Sequence, residues 1–248
     1  MTGGLFKLTW LELKIFAREP MGFIGSLVIP LVLFVILARV FGVQAAAASP
    51  VARGFGQVLP AFSALFVAIG AVVSLVTIIS IYREGGILKR LRATPLGPNV
   101  ILTAHVLVKL LLTATTLVTL ALVGRRYYPI GPDVPLVSFA IAVLFATWSV
   151  LSIGFVIASV VPTARFAQPL AGLVLYPMVA MSGLFFPIST LPSPAAMVAR
   201  VLPLSHAASL LNGIWMGEGW VAHAGDVLAL VATFGVCMVL SARMFRWE

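Results

Sequence analysis

Residues 136–161 are LVSFAIAVLFATWSVLSIGFVIASVV, an apolar run that contains no charged side chain. A helix needs about 20 mostly apolar residues to cross the roughly 30 Å of hydrocarbon in a bilayer. This run exceeds that length. We therefore predict that it forms a membrane-spanning helix.

The composition of the whole chain agrees with this stretch. Of its 248 residues, 61% are hydrophobic and 9% are charged, and the mean hydropathy is +1.14. Soluble domains carry about 25% charged residues, so most of this surface must face lipid rather than water. The net charge of +9 comes from cations that flank apolar runs, which suits anionic headgroups. We expect membrane lipids, and no nucleic acid, as partners.

Five further stretches are long and apolar enough to span a membrane. We predict an all-α integral membrane protein with six transmembrane helices in a single domain, residues 1–248. The predicted spans are residues 21–41, 58–82, 100–123, 136–161, 169–186 and 226–244.

The positions of Lys and Arg predict the orientation, because cytoplasmic loops are enriched in these residues. With the N-terminus inside, ten cations lie in cytoplasmic segments and five lie opposite. The ten are Lys7, Lys14, Arg18, Arg83, Lys89, Arg90, Arg92, Arg165, Arg243 and Arg246. Both termini are therefore expected in the cytoplasm.

Residues 4–19 have the pattern of a helix that lies in the membrane interface. One face carries cations and another carries apolar side chains, Lys7, Lys14 and Arg18 against Phe6, Trp10 and Leu13. Pro20 ends this helix before the first span. A frayed basic terminus is the alternative.

The loop after the second predicted span is REGGILKRLRATPLGP, residues 83–98. Glu84 near the start and three cations toward the end match the dipole of a short helix over residues 84–94. Pro95 ends this helix. A rigid helix between two spans suits the transmission of force from a docked partner, and a basic loop that sets topology is the alternative.

This loop resembles the one after the second span in ABC-2 type transporter permeases, the membrane subunits of certain bacterial ABC exporters of the type V kind. Two later stretches, GLFFPISTLP at residues 183–192 and ARVLPLSH at residues 199–206, resemble the family's segment between the fifth and sixth spans. The resemblance implies that residues 84–94 are a coupling helix and that residues 4–19 are the connecting helix beside it.

The resemblance also implies the partners. The coupling helix would dock on a separate ABC nucleotide-binding ATPase subunit, and a second permease chain, identical or related, would complete the transporter in a bacterial inner membrane. The implied ATPase-coupling residues are Glu84, Gly85, Ile87, Leu88, Lys89, Arg90, Leu91, Arg92, Thr94 and Pro95.

We expect no cofactor bound by this chain itself. The sequence contains no GxxxxGK[ST] phosphate-binding loop, so ATP and Mg would bind to the partner ATPase. The three histidines are dispersed and lack metal-ligand spacing. We predict no catalytic residue and no metal site, and the chain itself is not expected to be an enzyme.

The proline-rich segment 187–221 is too apolar for a free loop. Irregular backbone at membrane depth requires burial in protein or a cavity, so we predict two short re-entrant helices, residues 194–201 and 206–216. A loop lying flat on the outer leaflet is the alternative. By analogy with the family, the second and fifth spans would line the substrate pathway. The candidates are Phe62, Phe66, Ile69, Leu173, Tyr176, Met178 and Met181.

Several polar residues lie within or near the spans. Lys109 is expected to extend its amine toward the headgroups, with an internal polar contact as the alternative. Nothing in the sequence places the Ser205–His206 and His223–Asp226 pairs together as a hydrolase site. All carboxylates fall at or beyond the span ends, which weakens a proton-driven carrier.

The sequence thus predicts the permease of an ATP-driven exporter of a hydrophobic or amphipathic compound, such as a drug, an antibiotic or a lipid. Export of a lipid-linked polysaccharide is the first alternative. An ion-coupled carrier that works alone and a membrane enzyme acting on lipid are the others.

Overall fold

A computed structural model describes residues 2–18, 24, 28–41, 50–86, 98–127, 135–161, 163–183 and 188–244. Within these ranges the secondary structure is entirely helical, which confirms the predicted all-α class. The α-helices are α1 (Thr2–Arg18), α2 (Ile29–Phe41), α3 (Pro50–Glu84), α4 (Pro98–Tyr127), α5 (Leu136–Val160), α6 (Ala164–Ala180), α7 (Ser193–Val201), α8 (Pro203–Trp215) and α9 (Ala224–Met244). A short 3-10 helix, Ile188–Thr190, precedes α7.

The helices follow most of the predicted spans. Three segments of the described chain are long and apolar enough to cross a membrane as single helices, namely Thr103–Leu120, Leu136–Val160 and Ala224–Met244. Helix α6 begins at Ala164 and ends at Ala180, although hydropathy predicted residues 169–186. Its first turn is too polar to be recognised by hydropathy. The count of six spans stays a prediction.

Helix α5 lies at the centre of the bundle, between α3 and α9. Its buried positions include small residues that permit close helix packing, such as Ala142, Ala146 and Ala158. A Cβ atom on Gly154 would lie 3.1 Å from Val72 Cγ1 of α3. Glycine at this position therefore allows α3 and α5 to approach each other.

Polar and aromatic contacts join α5 to α9. The Ser149 hydroxyl donates a hydrogen bond of 2.7 Å to the carbonyl of Leu230, and the rings of Trp148 and Phe234 stack at 3.8 Å. A hydroxyl that bonds across a helix interface is satisfied without water, which suits a helix pair in lipid.

Helices α7 and α8 form a bent pair at 75° to each other. The bend lies at Leu202, which is extended, because a residue before proline is disfavoured in the helical region. Pro203 then begins α8, where its missing N–H costs nothing. Both helices lie where the sequence predicts helices, and the re-entrant path itself stays a prediction.

Helix α8 is the inner member of that pair. It packs against α3, α5 and α9 and buries Leu204, Leu210, Leu211 and Ile214, whereas most of α7 is exposed. Trp220 in the turn after α8 donates its indole N–H to the Ser138 hydroxyl at 2.7 Å. We call the end of the bundle at this turn the outer end, and the end at Glu84 and Ala164 the inner end, after the predicted orientation.

Candidate coupling site at the inner end

Helix α3 ends in three consecutive polar residues, Tyr82, Arg83 and Glu84, immediately before the predicted coupling loop. Each of the three contacts a different part of the fold. We call these residues, together with the atoms they bind, the inner junction.

Tyr82 connects α3 to α1. Its hydroxyl donates a hydrogen bond of 2.9 Å to Glu12 Oε1, and the same oxygen lies 3.7 Å from His105 Nε2 of α4. The rings of Tyr82 and His105 meet edge-on at 5.3 Å. Glu12 is only 8% exposed because α1 packs along α4. The carboxylate that sequence placed outside the spans is therefore enclosed between helices.

Arg83 binds the end of α5. Its two terminal guanidinium nitrogens donate to the carbonyls of Val161, at 2.8 Å, and Ala158, at 2.7 Å. The last carbonyls of a helix have no partner within that helix. A cation there also complements the negative end of the helix dipole, so Arg83 caps α5 by hydrogen bonding and by charge.

Glu84 binds the start of α6. The backbone N–H of Ala164 donates to Glu84 Oε2 at 2.8 Å, while Thr163 at the N-cap position makes no side-chain cap of its own. A carboxylate at a helix N-terminus satisfies an unpaired donor and complements the positive end of the dipole. Glu84 thus replaces the missing cap.

The remaining coupling residues can be placed only in part. Glu84 is the last residue of α3 rather than the first of a separate short helix, and Gly85 follows in the turn, its N–H donating to the Ile81 carbonyl. Gly86 has a φ of 64°, a left-handed conformation that favours glycine. Outside the described residues lie Ile87, Leu88, Lys89, Arg90, Leu91, Arg92, Thr94 and Pro95.

Lys109 makes an internal contact. Its ammonium lies 2.6 Å from the Ser74 hydroxyl of α3, and the residue is 7% exposed. The preferred prediction, an amine that reaches the headgroups, is wrong. The internal alternative holds because the packing of α4 against α3 brings a hydroxyl within reach of the amine.

The predicted pathway residues lie on α3 and α6, which pack against each other, except Met181, which directly follows α6. Ile69 is buried in the core, whereas Leu173 and Tyr176 are 71% and 66% exposed. Phe66, Met178 and Met181 are half-buried, and the backbone of Phe62 lies in α3. Their role along a pathway stays a prediction.

The outer end holds a second polar group that the sequence did not predict. We call it the outer cluster; its members are His206, Ser209, Glu218, His223 and Asp226. The carboxylate of Asp226, near the start of α9, makes three hydrogen bonds. Its partners are His206 Nδ1 at 2.8 Å, the Ser209 hydroxyl at 2.8 Å and His223 Nδ1 at 2.9 Å. These contacts tie α8 to α9.

His223 lies between two carboxylates. Its Nε2 is 2.8 Å from Glu218 Oε2, so both ring nitrogens face acceptors, which favours the doubly protonated, cationic ring. Burial alone would lower the pKa of His223, but its hydrogen bonds to Asp226 and Glu218 outweigh burial and raise that pKa above its usual value. The ring therefore carries charge to a higher pH than a free histidine.

Gly213 of α8 makes room for this ring. A Cβ atom built on Gly213 would lie only 1.7 Å from His223 Nε2. Only glycine at this position lets the histidine lie against α8.

The outer cluster is not arranged as a hydrolase site. A serine nucleophile needs its hydroxyl on a histidine nitrogen, with the histidine oriented by the carboxylate. Here the Ser209 hydroxyl donates to Asp226 instead. Among the residues that the structure describes, no group of three His, Cys, Asp or Glu side chains has a geometry able to hold a metal ion. The contacts link helices.

Neither polar group could be recognised from the sequence pattern. The inner contacts join residues 70 to 80 positions apart, and three of the four bind backbone atoms whose position depends on the packing of α5 and α6. In the outer cluster, His206 and Asp226 are 20 positions apart. The turn that folds α8 back onto α9 brings them together.

Comparison with known proteins identifies a family. A family model described as ABC-2 type transporter matches residues 4–216, most of the chain. Nodulation protein J of Rhizobium leguminosarum bv. trifolii is 32% identical over 95 residues, which are 38% of this chain and 36% of that protein. Nodulation protein J of Rhizobium meliloti (strain 1021) is 28% identical over 96 residues, with the same shares. The chain thus spans little more than a third of the length of these relatives.

Proposed function

Because the chain belongs to the ABC-2 type transporter family, we propose that it is the membrane subunit of an ATP-driven exporter whose energy comes from a separate ABC ATPase. The match over residues 4–216 carries this proposal, since it includes α1 from its third residue onward, the whole inner junction and the predicted coupling loop. Family membership implies a transporter component and an ATPase partner, and the assignment of the docking segment is ours.

The contacts around the loop support its role in docking. The loop leaves α3 directly after Glu84 and returns at Pro98 into α4, so both of its ends continue into long helices of the bundle. At its start, side chains bind α1, α5 and α6. A protein that presses on this loop therefore acts on several helices together.

The assembly we propose contains two permease chains, identical or related, above two ATPase subunits in a bacterial inner membrane. The inner end and both termini face the cytoplasm, as the distribution of Lys and Arg predicts. ATP and Mg bind to the ATPase partner. The apolar, exposed faces of the bundle contact lipid or the second chain.

The proposed cargo is a hydrophobic or amphipathic compound, such as a drug, an antibiotic or a lipid. Exposed Leu173 and Tyr176 on α6 offer an apolar surface with one hydroxyl, which suits such a molecule at the contact between two chains. A lipid-linked polysaccharide is the alternative cargo. Competition by each class against export of a fluorescent phospholipid would distinguish them.

The test of the ATPase partnership uses the purified full-length chain. Alone it is expected to hydrolyse no ATP, and an ABC ATPase is expected to co-purify with it. Charge reversal at Lys89 and Arg92, or Leu88→Pro, should abolish transport while the ATPase still hydrolyses ATP. Transport that persists in all three variants would show that residues 84–94 do not couple the two subunits.

A proton-coupled carrier is the second candidate, and one observation favours it. Glu12, His105 and Lys109 are titratable and nearly buried, each less than 10% exposed, and buried titratable groups serve as proton relays in carriers. Transport of the same fluorescent phospholipid by the isolated chain, driven by a pH gradient in ATP-free liposomes and lost in Glu12→Gln, would support this candidate over the exporter.

A further inference from the structure

Two adjacent side chains at the end of α3 bind both sides of one turn. Arg83 holds the carbonyls of Ala158 and Val161 at the end of α5, and Glu84 holds the N–H of Ala164 at the start of α6. The turn between α5 and α6 is thus attached to the residues that directly precede the predicted coupling loop.

The geometry makes this attachment firm. The three N···O distances are between 2.7 and 2.8 Å, in the range of charge-assisted hydrogen bonds. The planar guanidinium presents two donors at once, so its orientation is fixed relative to the two carbonyls. Each charge also complements a helix dipole: the Arg83 cation lies at the C-terminus of α5, and the Glu84 anion lies at the N-terminus of α6.

The two helices attached in this way have different surroundings. Helix α5 is the centre of the packed bundle, whereas α6 carries the exposed side chains Leu173 and Tyr176. Helix α6 starts at the residue that Glu84 binds. A shift of the end of α3 therefore acts on the first residue of the helix that carries three of the seven predicted pathway residues, Leu173, Tyr176 and Met178.

We infer that Arg83 and Glu84 are positioning residues for transport: they pass a displacement of the coupling loop to the end of α5, through Ala158 and Val161, and to the start of α6, through Ala164. The ATPase would then move α6 without touching it. This inference rests on the proposed function, because it requires that an ATPase displaces the loop.

The first readout separates a positioning role from plain stabilisation. In liposomes that contain the chain and its co-purified ATPase, we would measure ATP hydrolysis together with export of a fluorescent phospholipid. In Arg83→Ala and Glu84→Ala, hydrolysis continues and export per ATP falls about fivefold or more, the usual lower range for coupling between sites. A change that only unfolds protein lowers both rates in proportion.

Conservative and distant variants serve as controls. Glu84→Gln keeps an oxygen that accepts from the Ala164 N–H, so it should retain most of the export per ATP. Arg243→Ala removes an exposed cation near the inner end of α9 and should change neither rate. If Arg83→Ala does not accumulate in the membrane, the comparison of Glu84→Ala with Glu84→Gln still tests the inference. Both variants should fold, because Glu84 is exposed and its contact with the start of α6 is one hydrogen bond.

The second readout needs no transported compound. Spin labels are placed at the exposed positions Phe166 on α6 and Leu111 on α4, in a Cys237→Ser background. In the complex with wild-type Arg83 and Glu84, ATP with vanadate is expected to shift the distance between the labels. The double variant Arg83→Ala/Glu84→Ala should lose this shift while it still binds the ATPase.

The outcomes are distinct. The inference is overturned, and the exporter assignment stays intact, if export per ATP is unchanged in both single alanine variants and the label shift is unchanged in the double variant. A wild-type chain that binds no ATPase, or shows neither ATP-dependent export nor a label shift, would overturn the proposed function and the inference with it.

Discussion

The inner junction and the outer cluster are both polar groups at the ends of apolar helices, but they are built from different bonds. At the inner end, Arg83 and Glu84 bind backbone atoms at helix termini. At the outer end, two histidines and a serine bind the side chain of Asp226.

The difference indicates two kinds of constraint. Backbone atoms at a helix terminus move with the whole helix, so Arg83 and Glu84 join whole elements, and their backbone partners neither gain nor lose protons near neutral pH. Imidazole rings gain and lose protons in that range. The outer cluster should therefore weaken as pH rises. The contacts of Arg83 with the end of α5 should not change over the same range.

Removal of the Arg83 side chain is expected to have the largest effect on stability. Arg83→Ala leaves the α5 carbonyls without two charge-assisted bonds, and a hydrogen bond to a charged group contributes about 1.5–3 kcal/mol. The unfolding temperature in detergent should fall, and the difference in Tm from the wild type should be the same at each pH tested near neutrality. Arg243→Ala is the matched control and should unfold like the wild type. A Tm loss that varies with pH near neutrality would contradict bonds between the Arg83 guanidinium, which stays charged, and backbone carbonyls.

Gly213→Ala should break the outer cluster, with a somewhat smaller loss of stability than Arg83→Ala. The new methyl group takes the place of the His223 ring, and overpacking of this kind costs about 1–3 kcal/mol. The matched control is Gly235→Ala in α9, where a Cβ atom meets nothing within 4 Å. We expect a lower Tm for the first variant only. Equal Tm values for both would show that His223 does not lie against Gly213.

His223→Gln tests the pH dependence. The folded protein raises the pKa of His223, so the stabilisation is complete below the unfolded value of about 6.5 and is lost as pH rises through the higher folded value. The difference in Tm between wild type and His223→Gln should therefore be largest at low pH and shrink above neutrality. A difference that stays constant with pH would mean that the ring is not held as a cation by Asp226 and Glu218.

Tyr82→Phe should have the smallest effect. It removes one hydroxyl that donates to Glu12, one hydrogen bond where Arg83→Ala removes two, so we expect a loss of stability at the lower end of the range for a charged partner, about 1.5 kcal/mol. This small loss of stability should be accompanied by faster proteolysis of α1, because the bond between Tyr82 and Glu12 connects α1 to α3. If proteolysis of α1 is unchanged, the packing of α1 on α4 alone holds it in place.

Hydropathy predicted the helices whose whole length lies in apolar surroundings. Helices α5 and α9 agree with the predicted segments 136–161 and 226–244 to within two residues. The two helices predicted at residues 194–201 and 206–216 correspond to α7 and α8. Hydropathy failed for α6, where the polar first turn is held by Glu84 rather than by lipid.

The polar contacts were less predictable for a physical reason. A sequence shows that Arg83 and Glu84 follow a span, but not that the ends of α5 and α6 lie beside them, since that depends on the packing of α5 against α3. Glu12 illustrates the same limit. The sequence placed it before the first predicted span, and the contact of α1 with α4 encloses it.

The most direct test of the account is transport in liposomes that contain the full-length chain, with and without its ABC ATPase. A fluorescent phospholipid and an amphipathic rhodamine dye are the probes, and ATP or a pH gradient is supplied separately. We expect transport only when the ATPase and hydrolysable ATP are both present. Transport by the chain alone under a pH gradient, without ATP, would contradict the claim that a separate ATPase drives this bundle through its inner end.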